Sequence, residues 1–129
     1  MKILGVDYGL ARVGTAISYG SLAEPLMILP NDAQLFANLN RLVNEHAAAQ
    51  IVVGLSEAKM ADQTRDFVAK WQTFLSLPIV FVDETLTSYQ VQQYLRDAPA
   101  AKRRGPIDHY AAALILQTFL DDLATNTDF

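Results

Sequence analysis

The 129-residue chain contains no cysteine, which excludes disulfide bonds, thiolate metal sites and catalysis by a thiol. No apolar run approaches the roughly 20 residues that a membrane-spanning helix needs, and the apolar N-terminal stretch is too short for a signal peptide. Internal repeats and low-complexity stretches are also absent. We therefore expect one domain over residues 1–129, located in the cytoplasm and without a membrane partner.

Positive charge is scarce as well, with ten Lys and Arg against fourteen Asp and Glu. This balance excludes a protein that coats nucleic acid, because such proteins need a broadly basic surface. The excess acid lies entirely in residues 108–129, which hold four Asp and no Lys or Arg. The densest positive cluster in the chain lies just before them and comprises Lys102, Arg103 and Arg104. The composition therefore does not exclude local binding of phosphate groups by this cluster.

The first thirty residues predict an antiparallel β-meander. Residues 2–8 and 12–19 are rich in β-favouring types and are separated by a short turn, which is typical of a hairpin. Residues 24–29 predict a third strand, in which Pro25 favours an edge position or the start of the strand.

The pattern then changes to alternating helices and strands. A helix follows the cap pair Asn31 and Asp32, and another over 62–75 carries a stripe of core aromatic residues. That stripe comprises Phe67, Trp71 and Phe74. Residues 51–54 and 79–82 are wholly apolar, as in parallel strands covered by helices. Ser88 caps a further helix, and Pro106 opens a last one.

This order predicts an α/β fold with a mixed five-stranded sheet, in which the antiparallel meander is followed by parallel strands and helices cover both faces.

Acidic residues occur at three places that this fold can bring together. Asp7 lies inside the first apolar strand, where a carboxylate is costly to bury unless it is paired, hydrogen-bonded or bound to metal. Asp83 and Glu84 follow the last strand, and Asp108 sits in the first turn of the last helix. Each has an ordinary alternative, as a turn residue, a solvated loop residue or a partner of the helix dipole.

Converging carboxylates, in a chain without cysteine and with two histidines, favour hard cations such as Mg²⁺ or Mn²⁺. Two such ions about 4 Å apart can activate a water and stabilise the leaving oxygen in phosphodiester hydrolysis.

An ordered set of motifs resembles the YqgF/RuvX family over nearly the whole chain. The motifs are VDYG at 6–9, R-x-G at 12–14, IVVGL at 51–55, DETLTS at 83–88 and ID-x-x-AA-x-LILQ at 107–117. The resemblance implies an RNase H-like fold and a nuclease that acts on the 16S ribosomal RNA precursor, or a Holliday junction resolvase. By resemblance, the ligands of two Mg²⁺ or Mn²⁺ ions fall on Asp7, Glu84 and Asp108.

The candidate substrate-binding residues match the family's pattern only in part. Lys102, Arg103 and Arg104 keep the basic character of the loop before the last acid, and Arg12 is a candidate phosphate clamp. Two departures are Thr85, where the family has arginine, and residues 56–62, which look shorter than the family's loop.

We therefore expect a metal-dependent nuclease, a monomer or weak homodimer, that acts on structured RNA in maturation of the 16S 5′ end. A dimeric DNA junction resolvase shares this chemistry, since two sites would match the two-fold axis of a junction. A non-catalytic RNA- or ribosome-binding module on the same fold is a third reading. The first hairpin also looks like the phosphate loop of sugar-kinase/actin ATPases, but 129 residues leave no room for their second domain.

Overall fold

The computed structural model describes residues 1–55, 60–83 and 108–126. In this part of the chain the elements follow the predicted order, with some boundaries shifted. They are β1 (Lys2–Tyr8), β2 (Arg12–Tyr19), β3 (Leu22–Pro30), α1 (Leu35–Glu45), β4 (Ala48–Leu55), α2 (Met60–Gln72), β5 (Ile79–Asp83) and α3 (Asp108–Asn126). The helix predicted from Ser88 lies outside the described residues.

The sheet has the strand order β3-β2-β1-β4-β5. β1, β2 and β3 pair antiparallel, while β4 joins β1 and β5 joins β4 in parallel. The predicted meander followed by parallel strands is therefore confirmed, and β3 lies at an edge, as Pro25 indicated.

Helices cover both faces of the sheet, as predicted. On one face α1 and α2 pack against β-sheet side chains such as Leu4, Val6 and Val53. On the other face α3 packs against Ile3, Ala16 and Val52. Alternation along each strand separates the two cores, because successive side chains point to opposite faces. No helix in the described ranges is long and apolar enough to span a membrane.

The Thr15 hydroxyl group forms hydrogen bonds at an irregularity in the pairing of β2 and β3. Their register shifts between Thr15 and Ala16. There the buried Thr15 Oγ1 donates to the Met27 carbonyl oxygen at 2.6 Å and accepts from the Met27 backbone N–H at 3.1 Å. The side chain thus pairs both polar groups of Met27 at an irregular position.

The aromatic stripe of α2 is only partly core. Phe67 and Trp71 are buried, and the Trp71 indole donates to Asn40 Oδ1 of α1 at 3.0 Å. The prediction for Phe74 is wrong, because α2 ends at Gln72 rather than near residue 75. Phe74 therefore lies in the following turn, 54% exposed, with its ring edge-on to Phe36.

We expect Thr15→Val to lower the free energy of unfolding by about 1–3 kcal/mol, because the variant leaves the polar groups of Met27 without their partner. Urea unfolding measures the change. The matched control is Thr73→Val, which removes an exposed hydroxyl bonded to the Lys70 carbonyl and should cost less than about 0.5 kcal/mol. Equal costs at the two sites would contradict the assignment.

Candidate functional site

Asp7 is a half-buried acid at the carboxyl end of the central strand β1. Its backbone pairs with Gly14 of β2. Because strand residues alternate, Asp7 shares the α3 face with Ile3 and Gly5. The predicted placement of Asp7 within an apolar strand is therefore confirmed, and the face it occupies is the one that α3 covers.

α3 approaches β1 closely at Gly5. A Cβ atom on Gly5 would lie 2.9 Å from Leu116 Cβ and 3.1 Å from the Ala112 carbonyl oxygen. Ala16, the partner of Gly5 on β2, is small and fully buried beneath the same helix. The small residues on the strands and on the helix thus allow the backbone of α3 to pack close to the sheet.

The direction of α3 follows from its contacts with the turn between β2 and β3. Gln117 Oε1 accepts from the Ala23 backbone N–H, and its Nε2 donates to the Ser21 carbonyl oxygen, both at 2.9 Å. That turn lies beside the start of β1, where Lys2 Nζ sits over the Tyr19 ring. α3 therefore runs antiparallel to β1, and its first residue, Asp108, lies one turn beyond Ala112 toward the Asp7 end.

The carboxyl ends of the parallel strands align with Asp7. Val6 pairs with Val53, so Asp7 is level with Gly54 and, one strand further, with Val82. Val82 packs into the α3-side core, which places it on the same face as Asp7. Strands lie about 4.8 Å apart, so roughly 10 Å separates the backbones of β1 and β5 at this level. Asp83 follows, exposed and on the opposite face by alternation.

The turn between β1 and β2 is held in one conformation by Asn31. Its Nδ2 donates to the Gly9 carbonyl oxygen at 2.7 Å, and its backbone N–H donates to the Ala11 carbonyl oxygen at 3.0 Å. A Cβ on Gly9 would lie 2.6 Å from the Arg12 carbonyl oxygen, so the turn admits no side chain there. Arg12 is exposed, and alternation places it on the Asp7 face, two residues from Gly14.

The structure describes part of the predicted site. The side chains of Asp7 and Arg12 are described, and Asp108 is placed by its backbone at the start of α3. Glu84, the basic residues Lys102, Arg103 and Arg104, and Thr85 lie outside the described residues. Among the side chains that the structure describes, which do not include that of Asp108, no three acidic or histidine residues form a group that could hold a metal.

Three structural residues of the site were not predicted as such. Asn31 was expected to cap α1, but its amide braces the β1–β2 turn instead, while Asp32 Oδ1 accepts from the Gln34 backbone N–H. Gly5 carries a sequence signal, since a glycine inside an apolar strand indicates a close backbone approach. Gln117 ends the motif at 107–117, but nothing in the sequence indicates its partners, which lie more than ninety residues away.

Sequence comparison matches residues 1–122 to the family model described as RuvX, Holliday junction resolvase. Curated relatives named "Putative pre-16S rRNA nuclease" include one from Sulfurihydrogenibium sp. (strain YO3AOP1), 34% identical over 98% of this chain and 94% of the relative. Another, from Oleidesulfovibrio alaskensis, is 35% identical over 94% of this chain and 92% of the relative.

Two solved structures with a similar fold and low sequence identity are resolvases. Thermus thermophilus RuvC in complex with a Holliday junction substrate has a TM-score of 0.62 at 12% identity, covering 96% of each chain. The fowlpox virus Holliday junction resolvase also has a TM-score of 0.62, at 10% identity, over 95% of this chain and 99% of the viral chain. These likenesses confirm the predicted RNase H-like fold.

We expect Gly5→Ala to lower the free energy of unfolding by about 1–3 kcal/mol, because the added methyl group displaces α3. The control is Gly20→Ala, at a residue with φ of +62° and no atom within 4 Å of the added Cβ. It should cost about 1–2 kcal/mol through backbone strain alone. Urea unfolding measures both costs, and amide hydrogen exchange should quicken along α3 only in Gly5→Ala. Unchanged exchange in α3 of that variant would contradict the packing argument.

Proposed function

Because this chain belongs to the RuvX Holliday junction resolvase family, we propose that it is a metal-dependent nuclease acting on structured RNA. Its reaction is hydrolysis of phosphodiester bonds, and its substrate is the 16S ribosomal RNA precursor, at the 5′ end. The names of the curated relatives support this substrate. The proposal treats residues 1–129 as one RNase H-like domain that works in the cytoplasm.

The observation that carries the proposal is the position of Asp7. A half-buried carboxylate ends the central strand of a mixed sheet, on the face that α3 covers. Ligands of open α/β sheets gather at the carboxyl ends of strands, where the strand order reverses. Here the order reverses between β1 and β4, beside Asp7.

The chemistry of the residues fits divalent cations. We assign Asp7, Glu84 and Asp108 as the ligands of two Mg²⁺ or Mn²⁺ ions, since carboxylate oxygens are the ligands that these cations prefer. Two observations support the set: α3 starts toward the Asp7 end of β1, and β5 ends level with it. Asp83 faces the opposite side of the sheet, which argues against Asp83 as a ligand, and the family resemblance indicates Glu84 instead. Bound ions would supply activation of a water and neutralisation of the phosphate charge.

The chain's own residues would position the substrate. Arg12, on the Asp7 face beside a rigid turn, is suited to hold a non-bridging phosphate oxygen. Lys102, Arg103 and Arg104 precede Asp108 by four to six residues and would contact neighbouring phosphates. The braced turn at Gly9 fixes the backbone between Asp7 and Arg12, which limits the positions from which Arg12 can reach the phosphate.

We expect Asp7→Asn to lower Mn²⁺-dependent cleavage of a 16S precursor fragment by at least about 100-fold, because bound metal contributes several kcal/mol of transition-state stabilisation. Calorimetry should show a matching loss of Mn²⁺ affinity, and circular dichroism an intact fold. EDTA should abolish the wild-type activity.

The control variant is Asp62→Asn, which removes the same charge from a side chain on α2 that is 94% exposed. It should cleave like the wild type. Metal-dependent cleavage by Asp7→Asn at the wild-type rate would overturn the assignment of Asp7.

A DNA junction resolvase is the second candidate, favoured by the family description and by the resolvases of similar fold. It requires two sites on a symmetric dimer. We expect the protein to cut the RNA precursor as a monomer or weak homodimer, and to make no paired nicks in a synthetic four-way junction. Sedimentation and a nicking assay measure this. Paired nicks by a stable dimer would favour the resolvase, whereas RNA binding without cleavage in Mn²⁺ would favour a non-catalytic module.

A further inference from the structure

A cavity of about 320 Å³ opens at the carboxyl end of β1, between α1 and α2. Its wall includes Tyr8, which directly follows Asp7 and points to the opposite face of the sheet. The volume is at the lower end of the range of small-ligand sites, roughly 300–1,000 Å³. No step proposed above for Asp7 uses this cavity.

Three aromatic rings form a stack along the wall of the cavity. The Phe67 ring lies 4.5 Å from the Tyr8 ring, with an angle of 22° between the planes, and 5.6 Å from the Phe36 ring, with an angle of 8°. Phe67, in the middle, is buried, whereas Tyr8 and Phe36 at the ends are half-buried. The Phe36 ring already contacts the Phe74 ring at 5.2 Å, so a flat ring bound in the cavity would extend the stack at Tyr8, as bases do on nucleic-acid-binding proteins.

The charged groups of the cavity are mostly hydrogen-bond acceptors, since Asp32 and Asp66 contribute carboxylates. Gln63 and Asn31 contribute amides, which can donate or accept. Lys70 is the cation of the set, one helical turn after Asp66 on α2. Because two carboxylates outweigh one ammonium group, the cavity disfavours phosphate and favours a ligand rich in N–H donors.

Guanine has the matching edge. It presents two adjacent donors, the ring N1–H and the exocyclic amino group, which one carboxylate can accept together, and beside them a carbonyl acceptor. Residues four apart on a helix lie about 5–6 Å apart at Cβ, so Asp66 and Lys70 are spaced to meet donors and acceptor on the same edge. Uracil and cytosine offer a smaller ring for stacking, and adenine lacks the carbonyl group.

We propose that this cavity binds a guanine base of the substrate, extruded from the strand beside the phosphate held near Asp7. The proposal rests on the nuclease function and adds a base-specific subsite to it. Tyr8 in the cavity wall directly follows Asp7 in β1, so the cavity and the Asp7 side chain lie on opposite faces of the same strand end. Asn31 joins the two, since it lines the cavity and holds the Gly9 carbonyl of the turn.

The test measures binding of nucleoside monophosphates to the full chain in EDTA, so that neither metal nor cleavage enters. GMP should shift the NMR amide signals of Gln63, Phe67 and Lys70, with an affinity at least about tenfold above that of AMP, CMP or UMP. IMP, which keeps the ring N1–H and the carbonyl but lacks the amino group, should bind several-fold more weakly than GMP. Inorganic phosphate should leave these signals in place.

Asp66→Asn should weaken GMP about tenfold, because the paired acceptor oxygens are lost, while Asp62→Asn on the same helix should leave the affinity unchanged. Asp62 carries the same charge but does not line the cavity. Equal affinity for all four nucleotides, stronger binding by Asp66→Asn or shifts with inorganic phosphate would overturn the proposal. Cleavage of the RNA precursor without GMP binding would reject the subsite alone, and GMP binding without cleavage would reject the nuclease function alone.

Discussion

The close packing of α3 on the central strand at Gly5 is the contact on which the candidate site depends. A side chain at that position would meet Leu116 Cβ and the Ala112 carbonyl within about 3 Å, so the sheet accepts the helix only where the strand has no Cβ. Protein interiors are close-packed and transmit displacement, so lifting the helix here would also move its first turn. The separation between the start of α3 and Asp7 is thus set by a glycine two residues away from the acid.

Much of the fold could be predicted because a strand or helix that is buried on one face has apolar residues at regular intervals in its sequence. β1 and β2 were predicted with their observed bounds, since Val13 and Ile17 pack on one core and Ala16 on the other. β3 extends beyond the predicted 24–29, because an edge strand with mostly partly exposed residues has no clear pattern. Phe74 was misplaced for a related reason, as a helical stripe does not indicate where the helix ends.

The sequence identified a site residue only where burying its side chain in the predicted element would cost free energy. Asp7 in an apolar strand demands a partner, and this cost identifies it without a structure. Gln117 and Asn31 act through backbone groups distant in sequence, and no local pattern indicates which groups they contact. The contribution of Glu84 and of the basic residues Lys102, Arg103 and Arg104 remains a prediction, because they lie outside the described part of the chain.

The end of β1 has two faces with different electrostatic requirements. On the α3 face, Asp7 offers a negative charge that suits a cation and, through it, a phosphate. On the α1/α2 face, Tyr8 lines a cavity that also contains carboxylates. These carboxylates can accept hydrogen bonds from the N–H groups of a base and would repel a phosphate. The sheet itself keeps the two apart, so neither set of carboxylates needs to discriminate between the two ligands. Asn31 fixes the turn that joins the faces, and a nucleotide that bends around this strand end would present its phosphate and its base to opposite sides.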